Sequence, residues 1–156
     1  MGYRSRLWIN WFRGIKIKPY LDLFCIDKRI GSKALILENS KRLGVKPKFI
    51  FEEDIIKTLN TRNLSSFEKP NRLVIGGCDK HTKLQIISRM AQSMRIGDII
   101  VIPIIDIQTI KELKEELEDK NFKTNLNLIQ TYKSLSIAEG LRLEPNNPIF
   151  VLKGKK

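Results

Sequence analysis

Asp27, Asp54 and the pair Gly76-Gly77 each stand just past a short apolar run, at 21–26, 48–51 and 72–75. A carboxylate in such a place can accept two hydroxyl hydrogen bonds from a diol such as a ribose, the chemistry that Asp27 suggests. A turn aspartate fits that spacing equally well. Asp54 could accept from an exocyclic amine such as that of adenine; standing alone, it reads better as the N-cap of a helix beginning at Ile55. Gly76-Gly77 lets backbone approach a ligand closely, and a tight turn needs the same residues. Two acids and a glycine pair at successive run ends say more together than any one of them.

Other reactive residues carry less. Cys78 and His81 are a possible nucleophile and base, but no third group is visible to orient the histidine; Asp79 or Thr82 reads as a helix cap beside them. His81 is the only histidine and Cys25 and Cys78 the only cysteines, which excludes a disulfide framework and a zinc-binding Cys-x-x-Cys pair. A reduced, cytoplasmic setting fits that usage. Asn63-Leu64-Ser65 matches a glycosylation triplet with no secretory signal ahead of it. Met1-Gly2 opens like a myristoylation site, yet Arg6 stands where Ser or Thr is required.

The elements that position these residues alternate along the chain. Strands are expected at 21–26, 48–51, 72–75 and 98–105, the last being the strongest. Helices are expected at 32–43, 55–59 and 82–94, and again where Ile107, Ile110, Leu113 and Leu117 recur at helical spacing. In 32–43 the residues Ala34, Leu35, Leu37 and Leu43 give the apolar face, and Gly44 closes the helix. The tail reads as two further strands, near 125–132 and 149–152, and 60–69 as a loop. Strand–helix alternation with nearly all-apolar strands predicts an α/β domain whose parallel sheet is covered on both faces. Ligands in such sheets sit beyond the carboxyl ends of the strands, so the loops at Asp27, Glu53-Asp54 and Gly76 to Asp79 define one rim.

The chain has 156 residues, about one domain, and no apolar run of the roughly 18 residues that a membrane span requires. Its net charge of +12 is uneven. Residues 1–20 hold five basic residues and no acid, leaving 24 bases against 17 acids in the remainder. A basic field concentrates anionic partners, whether nucleic acid, anionic lipid or a polycarboxylate small molecule. No Gly-x-Gly occurs anywhere, although a nucleotide-binding α/β domain normally opens with one.

Four segments carry a resemblance: L-F-C-I-D-K-R (23–29), R-L-V-I-G-G-C (72–78), M-R-I-G-D-I-I-V-I-P (94–103) and R-L-E-P-N-N-P-I-F-V-L-K-G (142–154). Through them residues 21–154 resemble a class I S-adenosylmethionine-dependent methyltransferase from its second strand onward. More narrowly, they resemble the decarboxylating precorrin C(15)-methyltransferases of cobalamin biosynthesis, which also occur as the carboxy-terminal half of precorrin-6Y C(5,15)-methyltransferases. The resemblance implies a Rossmann-like, doubly wound α/β sheet, truncated at its first, central strand. It implies S-adenosylmethionine as cofactor, with Asp27 on its ribose, Asp54 by its adenine, and Gly76 and Gly77 bordering its methionine end. A polycarboxylate corrinoid is the implied substrate, with Tyr132, Lys133 and Arg142 in the segment where substrate contacts are plausible. A homo-oligomer is the implied assembly.

The departure is at the amino end. Where the family has a first strand and a loop of the type D-I-G-A-G-S-G-S, residues 8–14 read W-I-N-W-F-R-G. One legal back-translation of residues 1–18, read one nucleotide later, encodes W-D-I-G-A-G-S-G-S-I-G-L-E-A-L-R-L. A one-base slip near Lys18 would therefore account for a basic, aromatic segment at 1–19 ahead of a partial methyltransferase domain at 20–156. Loss of the central strand leaves two ladders of backbone groups facing a gap, each buried unpaired group costing about 1–3 kcal/mol. Native stability is only about 5–15 kcal/mol, so the chain should be unstable or should fill the gap with 7–12. Either outcome impairs cofactor binding. The alternatives are an RNA-binding or RNA-methylating protein using Arg4, Arg6, Trp8, Trp11, Phe12 and Arg13 for phosphate contact and stacking, and membrane attachment through the same stretch. On the leading reading neither nucleic acid nor membrane is a partner.

Overall fold

The computed structural model describes residues 22–61 and 69–156. The basic, aromatic segment at 1–19 and most of the loop at 60–69 lie outside the described residues. The chain divides into two compact units, 1–64 and 65–156.

In the first unit a strand, a helix and a strand follow one another: β1 (Phe24–Ile26), α1 (Ser32–Leu43) and β2 (Phe49–Phe51), with a short α2 (Ile55–Thr61) after them. β1 and β2 run parallel, Cys25 opposite Ile50, and a parallel pair requires a crossover, which α1 supplies. Cys25 and Ile36 are buried between strand and helix, with Leu23, Leu43, Val45 and Ile50 packed around them. The opposite face of the pair is aromatic. Phe24 and Phe49 have ring centroids 5.1 Å apart, and Phe49 stacks on Phe51 at 6.0 Å.

The face that α1 buries differs from the one expected. Ser32, Ile36 and Ser40 are buried, while Ala34, Leu35 and Leu37 are exposed. That buried stripe is two-thirds hydroxyl, so residue type pointed to the wrong flank. Both serines are satisfied locally: Ser40 Oγ donates to the Leu37 carbonyl at 2.8 Å and Ser32 Oγ to the Asp27 carbonyl at 3.2 Å. Gly44, at φ +65°, ends the helix as expected, its N–H turned back on Lys41 and Ser40.

The second unit holds β3 (Arg72–Val74), α3 (Lys80–Ala91), β4 (Ile99–Ile104), a 3-10 turn (Ile107–Thr109), α4 (Ile110–Asp119), and the strands β5 (Lys123–Ile129), β6 (Tyr132–Ile137), β7 (Gly140–Pro145) and β8 (Ile149–Lys155). Its main sheet has the order β3-β4-β8-β5. β3 and β4 are parallel, but β8 is antiparallel to both its neighbours. The sheet is thus mixed, not all-parallel. Helix α4 carries the chain from β4 to β5, whereas β5 reaches β8 without a crossover helix, so β8 can only return antiparallel.

The tail also holds more strands than its pattern announces. The stretch 125–132 divides into β5 and the start of β6, and β6 pairs with β7 in a hairpin of its own. Its two-residue turn, Ala138-Glu139, places Ala138 at φ +46°, where such turns usually carry glycine. The hairpin therefore lacks the dipeptide by which it would be recognised.

Ile100, Ile102, Ile104 and Leu152 line the sealed face of the main sheet, and α4 lies against β5 and β8 with Leu113 and Leu117 buried. On the wet side of α4, Lys111–Glu115 and Lys114–Glu118 are i,i+4 ion pairs. Pro103 is tolerated inside β4 for a geometric reason. It is in phase with Val101, whose carbonyl accepts from Ile75 N on the β3 side, so its missing N–H falls beyond the last paired residue of β3. On the other face of the sheet Lys123 stands opposite Lys155, next to Lys153, around a groove of about 240 Å³.

Candidate functional site

Asp27 and Asp54 follow the carboxyl ends of the parallel β1 and β2, so within the first unit both sit at the same end of the strand pair. Asp27 is tied into the ladder, its N–H donating to the Phe51 carbonyl at 3.0 Å. Its side chain is 13 % exposed and is held by Arg29. The Arg29 backbone N–H donates to Oδ1 at 3.0 Å, Nε donates to Oδ1 at 2.9 Å and to Oδ2 at 3.0 Å, and Nη2 donates to Oδ2. That carboxylate raises the guanidinium pKa, against a smaller opposing effect of burial.

Asp54 is the helix cap that its position allowed. Its Oδ1 accepts from Ile56 N at 2.9 Å and from Lys57 N at 3.2 Å at the start of α2. An amine would have to be met by Oδ2.

Glu52, which the sequence did not single out, has the more structural role. Its Oε2 accepts from Lys33 N at 2.9 Å and from Ser32 Oγ at 3.4 Å, joining the end of β2 to the first turn of α1. The Lys33 and Gly31 N–H groups hold its carboxyl below the usual range. The signal available was its place directly after the Phe-Ile-Phe run. For Arg29 the signal was its spacing, two residues past an aspartate, at which a backbone N–H returns to the carboxylate.

In the second unit Gly76 and Gly77 follow β3 as expected of a strand-end loop. A Cβ on Gly76 would touch Pro103 Cγ at 3.7 Å, an ordinary contact. Gly77 has φ +74° and open space beside it, so here backbone conformation requires the glycine. Asp79, not Thr82, caps α3, accepting from Thr82 N at 2.9 Å and Thr82 Oγ1 at 2.7 Å. Those bonds lower its pKa to about 2. Lys83 Nζ donates to the Cys78 carbonyl and braces the loop.

Tyr132, Lys133 and Arg142 lie on the β6–β7 hairpin. Lys133 and Arg142 share a face with Glu144, which Lys133 meets at 2.6 Å and Arg142 at 4.0 Å. Tyr132 projects from the other face, opposite Pro145, on the side that also carries Leu143 and Leu141. Among the described residues no cluster of His, Cys, Asp and Glu is suited to a metal ion, and no helix is long and apolar enough to cross a membrane.

No protein-family model and no curated protein sequence matches the chain. Solved structures do. A precorrin-6y C5,15-methyltransferase from Geobacter metallireducens is similar with TM-score 0.72 and 19% identity, covering 88% of this chain and 70% of its own. A precorrin 8w decarboxylase from Methanobacterium thermoautotrophicum is similar with TM-score 0.73 and 18% identity over 86% of this chain and 70% of its own. A tRNA methyltransferase from Aquifex aeolicus is similar with TM-score 0.52 and 14% identity over 99% of this chain and 69% of its own. The chain has the Rossmann-like α/β fold of methyltransferases. Among the described residues β1 pairs only with β2, and β3 only with β4.

Proposed function

We propose that this chain derives from an S-adenosylmethionine-dependent enzyme that methylates carbon 15 of a precorrin with decarboxylation, in cobalamin biosynthesis, and that its own cofactor affinity is weak. The observation that supports the reading best is Asp27 at the carboxyl end of a strand in a strand–helix–strand unit, within a chain whose fold matches two precorrin enzymes. The described residues fit the ribose end of the cofactor: Asp27 offers the diol a carboxylate, and Asp54 Oδ2 can meet an adenine amine. The open backbone at Gly77 suits the methionine end. Residues 8–14, which stand where the family has the loop that grips the methionine group, fall outside the described residues.

When bound, the cofactor supplies a methyl carbon made electrophilic by its sulfonium. What the protein contributes is placement of the nucleophilic carbon in line with it. The basic surface suits a substrate with many carboxylates, and Lys133 and Arg142 outnumber Glu144 on their hairpin face. Tyr132 would offer its ring from the opposite face. The resemblance also implies a homo-oligomer, which sedimentation velocity tests.

The decisive experiment is a repair. Calorimetric titration of this chain with S-adenosylmethionine should give weak or undetectable binding, and a micromolar constant refutes the impairment. Replacing residues 1–18 by W-D-I-G-A-G-S-G-S-I-G-L-E-A-L-R-L should bring binding into the micromolar range. A repaired chain that keeps its fold by far-ultraviolet circular dichroism and still does not bind refutes the methyltransferase reading. An RNA-binding role for residues 1–18 is the second reading, favoured by the basic and aromatic residues of that segment and by the fold likeness to a tRNA methyltransferase. Binding of an RNA oligomer that is lost with salt and with deletion of 1–18 would establish it.

A further inference from the structure

The carboxylate best placed for a ribose is already held on both oxygens. A carboxylate offers about four lone-pair directions. Three N–H groups of Arg29 occupy both oxygens of Asp27: Oδ1 accepts from the backbone N–H, Oδ2 from Nη2, and the single Nε–H is shared between them. Fewer than the two acceptor directions a diol needs therefore stay open. Arg29 also lies on the solvent side of the pair, its side chain 38 % exposed against 13 % for Asp27. A ligand diol with two O–H donors cannot bind Asp27 unless side-chain contacts of Arg29 are given up.

We infer that Arg29 is a built-in competitor for the ribose of an adenosyl ligand, and that exchange of its guanidinium for the diol limits affinity at this end of the site. The inference rests on the adenosyl reading of Asp27 given above.

Backbone and side chain of Arg29 play opposite parts. The Arg29 carbonyl accepts from Ser32 N at 3.0 Å at the entry to α1, which fixes the local backbone. Its N–H can therefore stay on Oδ1 and keep the carboxylate aimed while the guanidinium swings out. Without a ligand the guanidinium compensates a mostly buried charge that would otherwise be costly. Truncating the side chain removes the competitor and leaves the orienting N–H in place.

The test follows ¹H–¹⁵N spectra during titration with S-adenosylhomocysteine, which lacks the sulfonium charge, up to millimolar concentration. The native chain, Arg29→Ala, Arg29→Lys and Asp27→Asn are compared, with α1 amide shifts confirming an intact fold. Arg29→Ala should bind about 1.5- to 5-fold tighter, the range expected for removing an ion pair of this exposure. Arg29→Lys should lie between, because an ammonium cannot make the fork. In the native chain the Arg29 Nε–H resonance should move as ligand is added. Unchanged or weaker binding by Arg29→Ala, with Asp27→Asn abolishing binding, overturns the inference and leaves the cofactor reading intact. Binding indifferent to Asp27→Asn overturns the cofactor reading and the inference together, and failure of every variant to bind overturns the inference.

Discussion

Leu152→Ala is the sharpest test of how the second unit is built. Leu152 lies in β8, fully buried, opposite Ile102 in β4 and Leu126 in β5. The substitution removes three carbons from the core, about 2.4 kcal/mol at about 0.8 kcal/mol for each buried group. A cavity adds to this where neighbours cannot collapse. Ile100, Ile102 and Ile104 are fixed on the adjacent strand, and Leu113 and Leu117 are buried on α4, so relaxation should be small. The expected loss is about 3–4 kcal/mol, within the range of buried Leu-to-Ala changes and a large share of the stability of a domain. Both tryptophans lie at 8 and 11, outside the second unit, so a backbone signal is the better reporter of it. Urea unfolding by far-ultraviolet circular dichroism should instead show a lowered midpoint with unchanged slope. Amide exchange of peptides spanning β4 and β8 should accelerate together. A loss below about 1 kcal/mol, or faster exchange confined to β8, would refute the insertion of β8 between β4 and β5.

Cys25, whose thiol burial pushes up to about 12, should resist iodoacetamide in the native protein at pH 8, whereas the half-buried Cys78 should react faster. The same shift has a sign for stability. Above the unfolded thiol's pKa, near 9.0, the unfolded chain loses a proton that the folded chain keeps, so stability should fall between pH 9 and about 12; Cys25→Ala should flatten that fall in urea midpoints. Ala138→Gly should stabilise the β6–β7 hairpin by about 1 kcal/mol, because φ +46° strains a side chain that glycine lacks; slower amide exchange at 132–145 would show it. Lys155→Glu should raise stability by about 0.2–1 kcal/mol by pairing with Lys123 in place of a like charge, an effect that thermal melts should show fading in high salt.

Most element positions were legible because their signals are local. Gly44 marks the end of α1, the spacing of Leu113 and Leu117 marks the buried side of α4, and the Ile99–Ile104 run is a strand within a residue of its expected limits. What could not be read depended on partners far along the chain. The orientation of β8 follows from what it pairs with, and its composition says nothing of direction. The buried flank of α1 depended on serines satisfied by carbonyls of its own surroundings. Of the candidate site, the positions of Asp27, Asp54 and Gly76-Gly77 at strand ends were legible as punctuation. Their engagements were not: the capping role of Asp54 was foreseeable as an alternative, but the hold of Arg29 on both oxygens of Asp27 required coordinates.

The order of strands in the main sheet also constrains when it can form. β8, the last strand in sequence, occupies an inner position, and β5, made earlier, bonds to the sheet only through it. A nascent chain that has not yet released β8 can join β3 to β4 but has no seat for β5, and the sealing of the isoleucine face must wait. Assembly of this unit is therefore late and depends on contacts distant in sequence, which slows folding and leaves the edge of β4 open to other chains in the interval.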